Sequence, residues 1–312
     1  MKILVTGGCG YKGHVLIPKL LKCNHNVVCI DTEWFGNFHE QHKALQTIKG
    51  NINVLNNIVL DEFDAIIHLA SIANDPCSDL NPQLTWETSA LATMQLADKA
   101  ARSGVKRFIY ASSGSVYGLK EEDKVTEDLE LFPLSEYNKT KMVAERVLLS
   151  YSKLMKVQIL RPATVCGLSP RMRLDVAVNL LTMQALTKGE ITVLGGSQVR
   201  PNVHIDDITD AYIHLLDNQN ISGIFNIGFE NISILDIAKK IQNFIEVKIT
   251  VKKSNDPRSY RLDSSKFLKT GFSPKKTVND AIKEIISAYQ KGLLKDDDHF
   301  YNLKWMKKNN YA

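Results

Sequence analysis

Tyr137-Asn138-Lys139-Thr140-Lys141 sets a phenol and an ammonium four residues apart. On a helix that spacing is one face and adjacent turns. A tyrosine hydroxyl ordinarily ionises at about pH 10. A nearby ammonium favours the phenolate, so the pair makes a base usable near neutrality. Upstream, Tyr110-Ala111-Ser112-Ser113-Gly114-Ser115-Val116-Tyr117-Gly118 leaves the end of a strand-like run. Ser113 is placed there to hydrogen-bond an alcohol while Tyr137 takes its proton. Oxidation of that alcohol then needs a hydride acceptor on the same edge of the fold.

A second motif supplies a place for one. Thr6-Gly7-Gly8-Cys9-Gly10-Tyr11-Lys12-Gly13 follows the first apolar run and opens a helical stretch, with Gly7, Gly10 and Gly13 in a GxxGxxG pattern. Side chains at these positions would block backbone approach to a pyrophosphate, and the helix start offers free N–H groups and partial positive charge. Asp31 ends the next apolar run, eighteen residues past Gly13. A carboxylate there accepts hydrogen bonds from adenosine ribose hydroxyls and repels a 2′-phosphate. Thr32 and Glu33 follow it and no arginine stands beside it, so NAD is expected rather than NADP.

The elements that must position these groups follow from the apolar periodicity. Short apolar runs at residues 2–6, 27–31, 65–70, 107–111 and 157–160 alternate with helical patterns at 15–21, 84–102 and 137–151. Buried strands alternating with helices predict an α/β fold, a Rossmann-type doubly wound parallel sheet. After Arg161-Pro162 the rhythm breaks, with a loop at 167–173, helices at 176–187, 205–216, 235–244 and 279–293, and strands at 191–194 and 225–227. We expect residues 1–166 to form the dinucleotide domain, with some later segments returning to it. Residues 167–312 are expected to form mainly a smaller C-terminal α/β substrate lobe.

Composition narrows the class. With 312 residues, 44% hydrophobic and 23% charged, the chain reads as globular and sets aside disordered and coiled-coil classes. A net charge of +5 is thin and scattered, so no nucleic-acid partner is expected. Cysteines 9, 23, 29, 77 and 166 show no paired or CxxC spacing, which argues against a disulfide framework or a zinc site. No leader-like apolar segment opens the sequence and no apolar run reaches the roughly 18 residues of a membrane span. A cytoplasmic protein without membrane insertion is expected.

Taken in order, TGGCGYKG at 6–13, HLAS at 68–71, SSGSVYG at 112–118, YNKTK at 137–141, LRPATVCG at 160–167 and VRPNVHIDD at 199–207 span nearly the whole chain. This series resembles the extended short-chain dehydrogenase/reductases, in their NAD-dependent nucleotide-sugar epimerase/dehydratase group. The resemblance implies a catalytic set of Ser113, Tyr137 and Lys141. For NAD it implies Gly7, Gly10, Tyr11, Gly13, Asp31, Asn51, Ile52, Leu69, Ala70, Ser71, Pro162 and Ala163, with Tyr137 and Lys141 shared. For a nucleotide-diphosphate sugar it implies Asn179, Arg200 and Arg258, with Ser113. Ser115 is a further candidate beside the sugar. Asn74 and Asp75, after the fourth expected strand, are candidates too, because ligands bind at the carboxyl edge of such sheets.

Departures sharpen the expectation. The 4,6-dehydratases of this group have an Asp-Glu pair where this chain has Gly114-Ser115, so water elimination is disfavoured. Asn51 replaces an aspartate, Ser89 an asparagine and Cys166 a tyrosine. His204 precedes Asp206-Asp207 without a third ligand at sensible spacing, and no metal is expected. The expected activity is oxidation at carbon 4 of a nucleotide sugar, as a 4-epimerase in surface-polysaccharide sugar biosynthesis. The alternatives are a net 4-dehydrogenase releasing a 4-keto sugar, for example of a GDP-heptose in a capsule pathway, and a non-catalytic NAD-binding protein. The two long helical stretches resemble a dimerisation pair, so a homodimer is expected.

Overall fold

A computed structural model describes residues 1–53, 59–253 and 259–311. Its first half alternates strands and helices: β1 (Lys2–Thr6), α1 (Gly13–Lys22), β2 (Asn26–Asp31), β3 (Leu45–Lys49), β4 (Ala65–His68), α2 (Asp75–Ser78), α3 (Pro82–Trp86), α4 (Ala92–Arg102), β5 (Arg107–Ala111), α5 (Glu136–Ser150) and β6 (Lys156–Pro162). One wider π turn, Glu87–Leu91, joins α3 to α4. The second half adds β7 (Thr164–Cys166), α6 (Ala177–Lys188), β8 (Glu190–Leu194), β9 (Val199–His204), α7 (Ile205–Asp217) and β10 (Gly223–Ile227). It ends with β11 (Glu230–Ser233), α8 (Ile234–Gln242), β12 (Lys248–Lys252), α9 (Ser265–Leu268), α10 (Val278–Gln290) and α11 (Asn302–Asn309).

The main sheet has seven strands in the order β10-β6-β5-β4-β1-β2-β3, all parallel. The order reverses beside β1, and ligands of such sheets bind at that crevice. β1, β4 and β5 are apolar and buried on both faces, as a sheet covered by helices on two sides requires. Two small sheets, β11-β9-β7 and β12-β8, build the lobe around a core of Val178, Ile191, Ile237 and Ile282.

Segments after residue 166 pack with the first half of the chain. β10 completes the main sheet beside β6. Ile208, Tyr212 and Leu215 of α7 pack in the same core as Ile3, Leu16 and Ile109. Leu262 and Phe267 join that core as well.

His68 ends β4 inside the sheet edge, fully buried. Thr6 Oγ1 lies 2.6 Å from its Nδ1 and Thr93 Oγ1 2.8 Å from its Nε2. Thr93 itself donates to the Ser89 carbonyl, so its oxygen accepts the Nε2 proton and Thr6 donates to Nδ1. Ser89 Oγ accepts from the Ile72 N–H, which ties the π turn to the chain leaving β4. Burial holds His68 neutral, with its pKa lowered to about 3, and buried His14 is also lowered to about 3 by burial. Unfolded histidine takes up a proton at about pH 6.5, whereas these two do not until far lower. Their contribution is present above that value and is lost as pH falls. Denaturant titrations at pH 7.5 and 5.5 should therefore show a loss of up to about 3 kcal/mol, about 1.4 kcal/mol per pH unit for each histidine. Equal stabilities would contradict two neutral buried imidazoles.

Candidate active site

The glycine loop turns where the backbone demands it. Gly7 has φ +70°, and a Cβ there would lie 2.6 Å from the Ala70 nitrogen. A Cβ on Gly13 would meet the Gly8 carbonyl oxygen at 2.1 Å, so α1 can sit this close to the loop only with glycine. Asp31 takes an N–H from Cys9 on one carboxylate oxygen at 2.9 Å and from Glu33 on the other at 2.8 Å. These bonds fix its orientation at the end of β2, and burial pushes its carboxyl up.

One cavity of about 1070 Å³ runs from this loop to Ser113, Tyr137 and Lys141. That is at the upper end of the range for a single small-molecule site, as two ligands end to end require. It is lined by Gly7, Gly10, Tyr11, Gly13, Asp31, Asn51, Ile52, Leu69, Ala70, Ser71, Pro162 and Ala163, and by Ser113, Ser115, Tyr137, Lys141, Asn74, Asp75 and Arg200. The residues expected around a dinucleotide thus share a single space with the residues expected to do chemistry.

Two candidates stand elsewhere. Arg258 lies outside the described residues. Asn179 is a correction: it does not line the cavity. It is fully buried on α6 and spends its amide on Tyr11 Oη (3.1 Å), the Arg173 carbonyl (2.8 Å) and the Gly167 N–H (3.1 Å). Tyr11 Oη in turn donates to the Gly167 carbonyl at 2.6 Å. Asn179 thereby holds the wall of the cavity instead of facing its contents.

The far end of the cavity is built on α5. Ser135 caps the helix, accepting from the Asn138 N–H and donating to Asp75 at 2.7 Å. Tyr137, Lys141 and Glu145 follow at intervals of four on the inward face. Lys141 Nζ donates to the Ala111 carbonyl at 2.7 Å, at the end of β5, and stands 5.8 Å from the Tyr137 ring centre. Ser113 Oγ and Ser115 Oγ are 2.7 Å apart, and Ser115 donates to the Asn138 side chain.

Burial pushes the Tyr137 phenol up; its hydrogen bond with Ser113 opposes that rise, the Asp75 carboxylate adds to it and the nearby Arg173 guanidinium opposes it. Burial, and after it the neighbouring Lys12, drive the Lys141 ammonium well below its usual range. Arg173 sits on the chain after β7 and pairs with Asp175 at 2.9 and 3.3 Å. Asn74 reaches the same Asp175 at 3.1 Å.

Several lining residues were not among the expected ones. Arg171 is buried, with its guanidinium 3.9 Å from the Phe35 ring centre and donating to Asn302 at 2.6 Å. It comes within electrostatic reach of Asp31, although no arginine is near Asp31 in sequence. Asn302 and Leu303 of α11 also line the cavity, and Trp305 donates to the Trp34 carbonyl at 2.8 Å. The usable signal was the Arg171-x-Arg173-x-Asp175 spacing, which puts alternating charges on an extended loop.

His204 also differs from expectation. Glu284 of α10 lies 3.1 Å from its Nε2, and Asp206 is close by, so a third potential ligand exists after all. Both carboxylates are held by lysines, Asp206 by Lys19 at 2.9 Å and by Lys276 at 3.0 Å, and Glu284 by Lys276. The cluster is an ion network that ties α1, α7 and α10 together. Cys9 and Cys29, unpaired in sequence spacing, come within 3.9 Å sulfur to sulfur beside His39.

A glycine loop at the switch point of a parallel sheet, an oriented acid after β2 and a Ser/Tyr/Lys set at the far end of one cavity define a dinucleotide-dependent enzyme that works on alcohols. The model of the NAD dependent epimerase/dehydratase family matches residues 3–228, and the chain belongs to that family. It is 29% identical to UDP-glucose 4-epimerase of Lactobacillus helveticus, over 90% of this chain and 95% of the relative. It is equally 29% identical to UDP-glucuronic acid decarboxylase 1 of Danio rerio, over 94% of this chain and 73% of that one. The solved UDP-glucuronic acid 4-epimerase from Bacillus cereus, in complex with UDP-glucuronic acid and NAD, superposes with a TM-score of 0.81 at 31% identity, over 94% of this chain and all of that chain. The cofactor is NAD, and the loop that a Cβ would fill and the oriented Asp31 fit it.

Proposed function

We propose that this enzyme oxidises a nucleotide-activated sugar at carbon 4 and re-reduces the ketone on its other face, a 4-epimerisation that regenerates NAD. The observation that carries this reading is the single cavity shared by the glycine loop and Ser113, Tyr137 and Lys141. Ser113 orients the sugar hydroxyl, Tyr137 Oη takes its proton, and Lys141 stands beside the phenol, 5.8 Å from its ring centre. Bound NAD supplies the hydride acceptor. The proton returns from Tyr137 when the alcohol is re-formed. Arg200, in the lobe wall of the cavity, has the fork that suits a diphosphate. The relatives that are sugar-nucleotide 4-epimerases support the same reading.

Gly114 and Ser115 bring no carboxylic acid to the place where elimination of water would need one. A Cβ on Gly114 would stand 3.2 Å from the Pro162 carbonyl, so a larger residue would crowd β6 there. A role in surface-polysaccharide sugar synthesis and a cytoplasmic setting fit this activity. Among the described residues no helix is long and apolar enough to cross a membrane. A homodimer is supported by Trp86, Leu91 and Met94, which leave apolar surface exposed along the α3–α4 stretch.

The test is a panel of nucleotide sugars incubated with enzyme and NAD, read by NMR, mass spectrometry and the near-ultraviolet band of reduced nicotinamide. The expected result is a 4-epimer of unchanged mass without net growth of that band. A ketone formed in step with reduced cofactor would replace the epimerase reading with a net dehydrogenase. Silence across all donors would remove the catalytic reading.

A further inference from the structure

Lys12 stands in the glycine loop between Tyr11 and Gly13 and lines the same cavity as the catalytic side chains. Among the described residues its ammonium has no hydrogen-bond or ion-pair partner. Its one contact of note is the face of Tyr212, with Nζ 6.0 Å from the ring centre. Tyr212 is fully buried on α7, and among the described residues its hydroxyl is itself without a hydrogen-bond partner.

The other cations near this point have partners. Arg173 is held by Asp175 and Lys141 by the Ala111 carbonyl. Burial, followed by the Arg173 guanidinium, brings Lys12 down to about 8, and Lys12 in turn lowers Lys141. A partly buried ammonium beside a guanidinium and, among the described residues, without an ion pair is destabilising in the protein alone. It becomes favourable when an anion occupies the cavity next to the loop. A loop of this type otherwise offers phosphate only the partial charges of its N–H groups.

We propose that Lys12 is the counter-cation of the dinucleotide's diphosphate, a cofactor-binding residue that adds a full charge to a loop working by backbone dipoles. The ammonium is a compact point charge with rotatable donors, suited to a diphosphate that the loop already cradles. Arg200 and Tyr260 line the cavity from the other lobe, so the sugar nucleotide's own diphosphate has different partners available.

The test uses the full chain freed of co-purified nucleotide, with Lys12→Met and Lys12→Arg. Dissociation constants for NAD, ADP-ribose and adenosine are measured by fluorescence and NMR titration, and melting temperatures are measured without ligand. Lys12→Met is expected to weaken NAD and ADP-ribose alike by about 10- to 100-fold, as loss of one charge-assisted bond implies. Adenosine, which has no phosphate, should bind as before, and Lys12→Arg should keep most of the NAD affinity. Added salt should weaken NAD binding to the parent more steeply than to Lys12→Met. The ligand-free Lys12→Met chain should melt no lower than the parent, because a buried unpaired charge is gone. Unchanged NAD affinity, an equal loss for adenosine, or a lower ligand-free melting temperature would each overturn the assignment.

Discussion

Replacing Tyr137 by phenylalanine is expected to lower kcat by about 10²- to 10⁴-fold, the range for removal of a positioned general base. The ring and the α5 backbone remain, so the chain should fold and bind NAD as the parent does. Only the hydroxyl that exchanges a proton with the sugar is gone. The site allows a sharper check. Burial raises the phenol, and Ser113 and Arg173 oppose that rise. The acid limb of kcat/KM should therefore reflect deprotonation of this phenol, with activity falling as pH drops, and should be lost in the residual activity of Tyr137→Phe. The measurement is steady-state kinetics with the cognate sugar nucleotide alongside an NAD titration. Turnover retained within a few fold would remove Tyr137 as the base and with it the proposed reaction.

Replacing Arg161 by methionine should destabilise the fold by about 3–5 kcal/mol, the cost of leaving one buried charge unpaired. Arg161 on β6 donates to Glu145 at 3.0 and 2.6 Å and to Tyr117 Oη at 2.7 Å. Tyr117 Oη donates to Asn226 Oδ1 of β10 at 2.8 Å, and Ser112 bonds Glu145 from the end of β5. Arg161 and Glu145 are almost fully shielded from water. Glu145 shares the inward face of α5 with Tyr137 and Lys141, so this network seats the catalytic helix on the sheet. Denaturant unfolding measures the loss. The double variant Arg161→Met with Glu145→Leu should recover a large part of it, because neither charge is then stranded. A single variant as stable as the parent would show that the pair is solvated and does not anchor α5.

The catalytic spacing was legible in the sequence because helix geometry is local. A spacing of four from Tyr137 to Lys141 places them on one face wherever the helix goes. The glycine loop and Asp31 were legible for a similar reason, since a tight turn and a strand end are properties of a few consecutive residues. The alternation of buried runs likewise announced the parallel sheet. β3 escaped notice because it is an edge strand of five residues, LQTIK, with most of its side chains in solvent and no apolar run to mark it. β7, β9 and β11 are short and pair across long separations, so nothing within each segment declares its partner.

What only the tertiary structure decided is which distant groups meet. Sequence order separates Arg173 from Tyr137 and Arg171 from Asp31, and the loop after β7, Arg200 of β9 and Asn302 and Leu303 of α11 come together to complete the walls of the cavity. Asn179 has the same amide whether it faces a ligand or a neighbouring tyrosine, and only packing chose the tyrosine. Nothing beside Lys12 in the sequence tells what surrounds its ammonium, and its having no ion pair among the described residues is a property of the fold. Local geometry is set by bonds along the chain, so residues report it directly. The electrostatic surroundings of a group are set by burial and by whatever other segments pack against it, and no short stretch of sequence contains them.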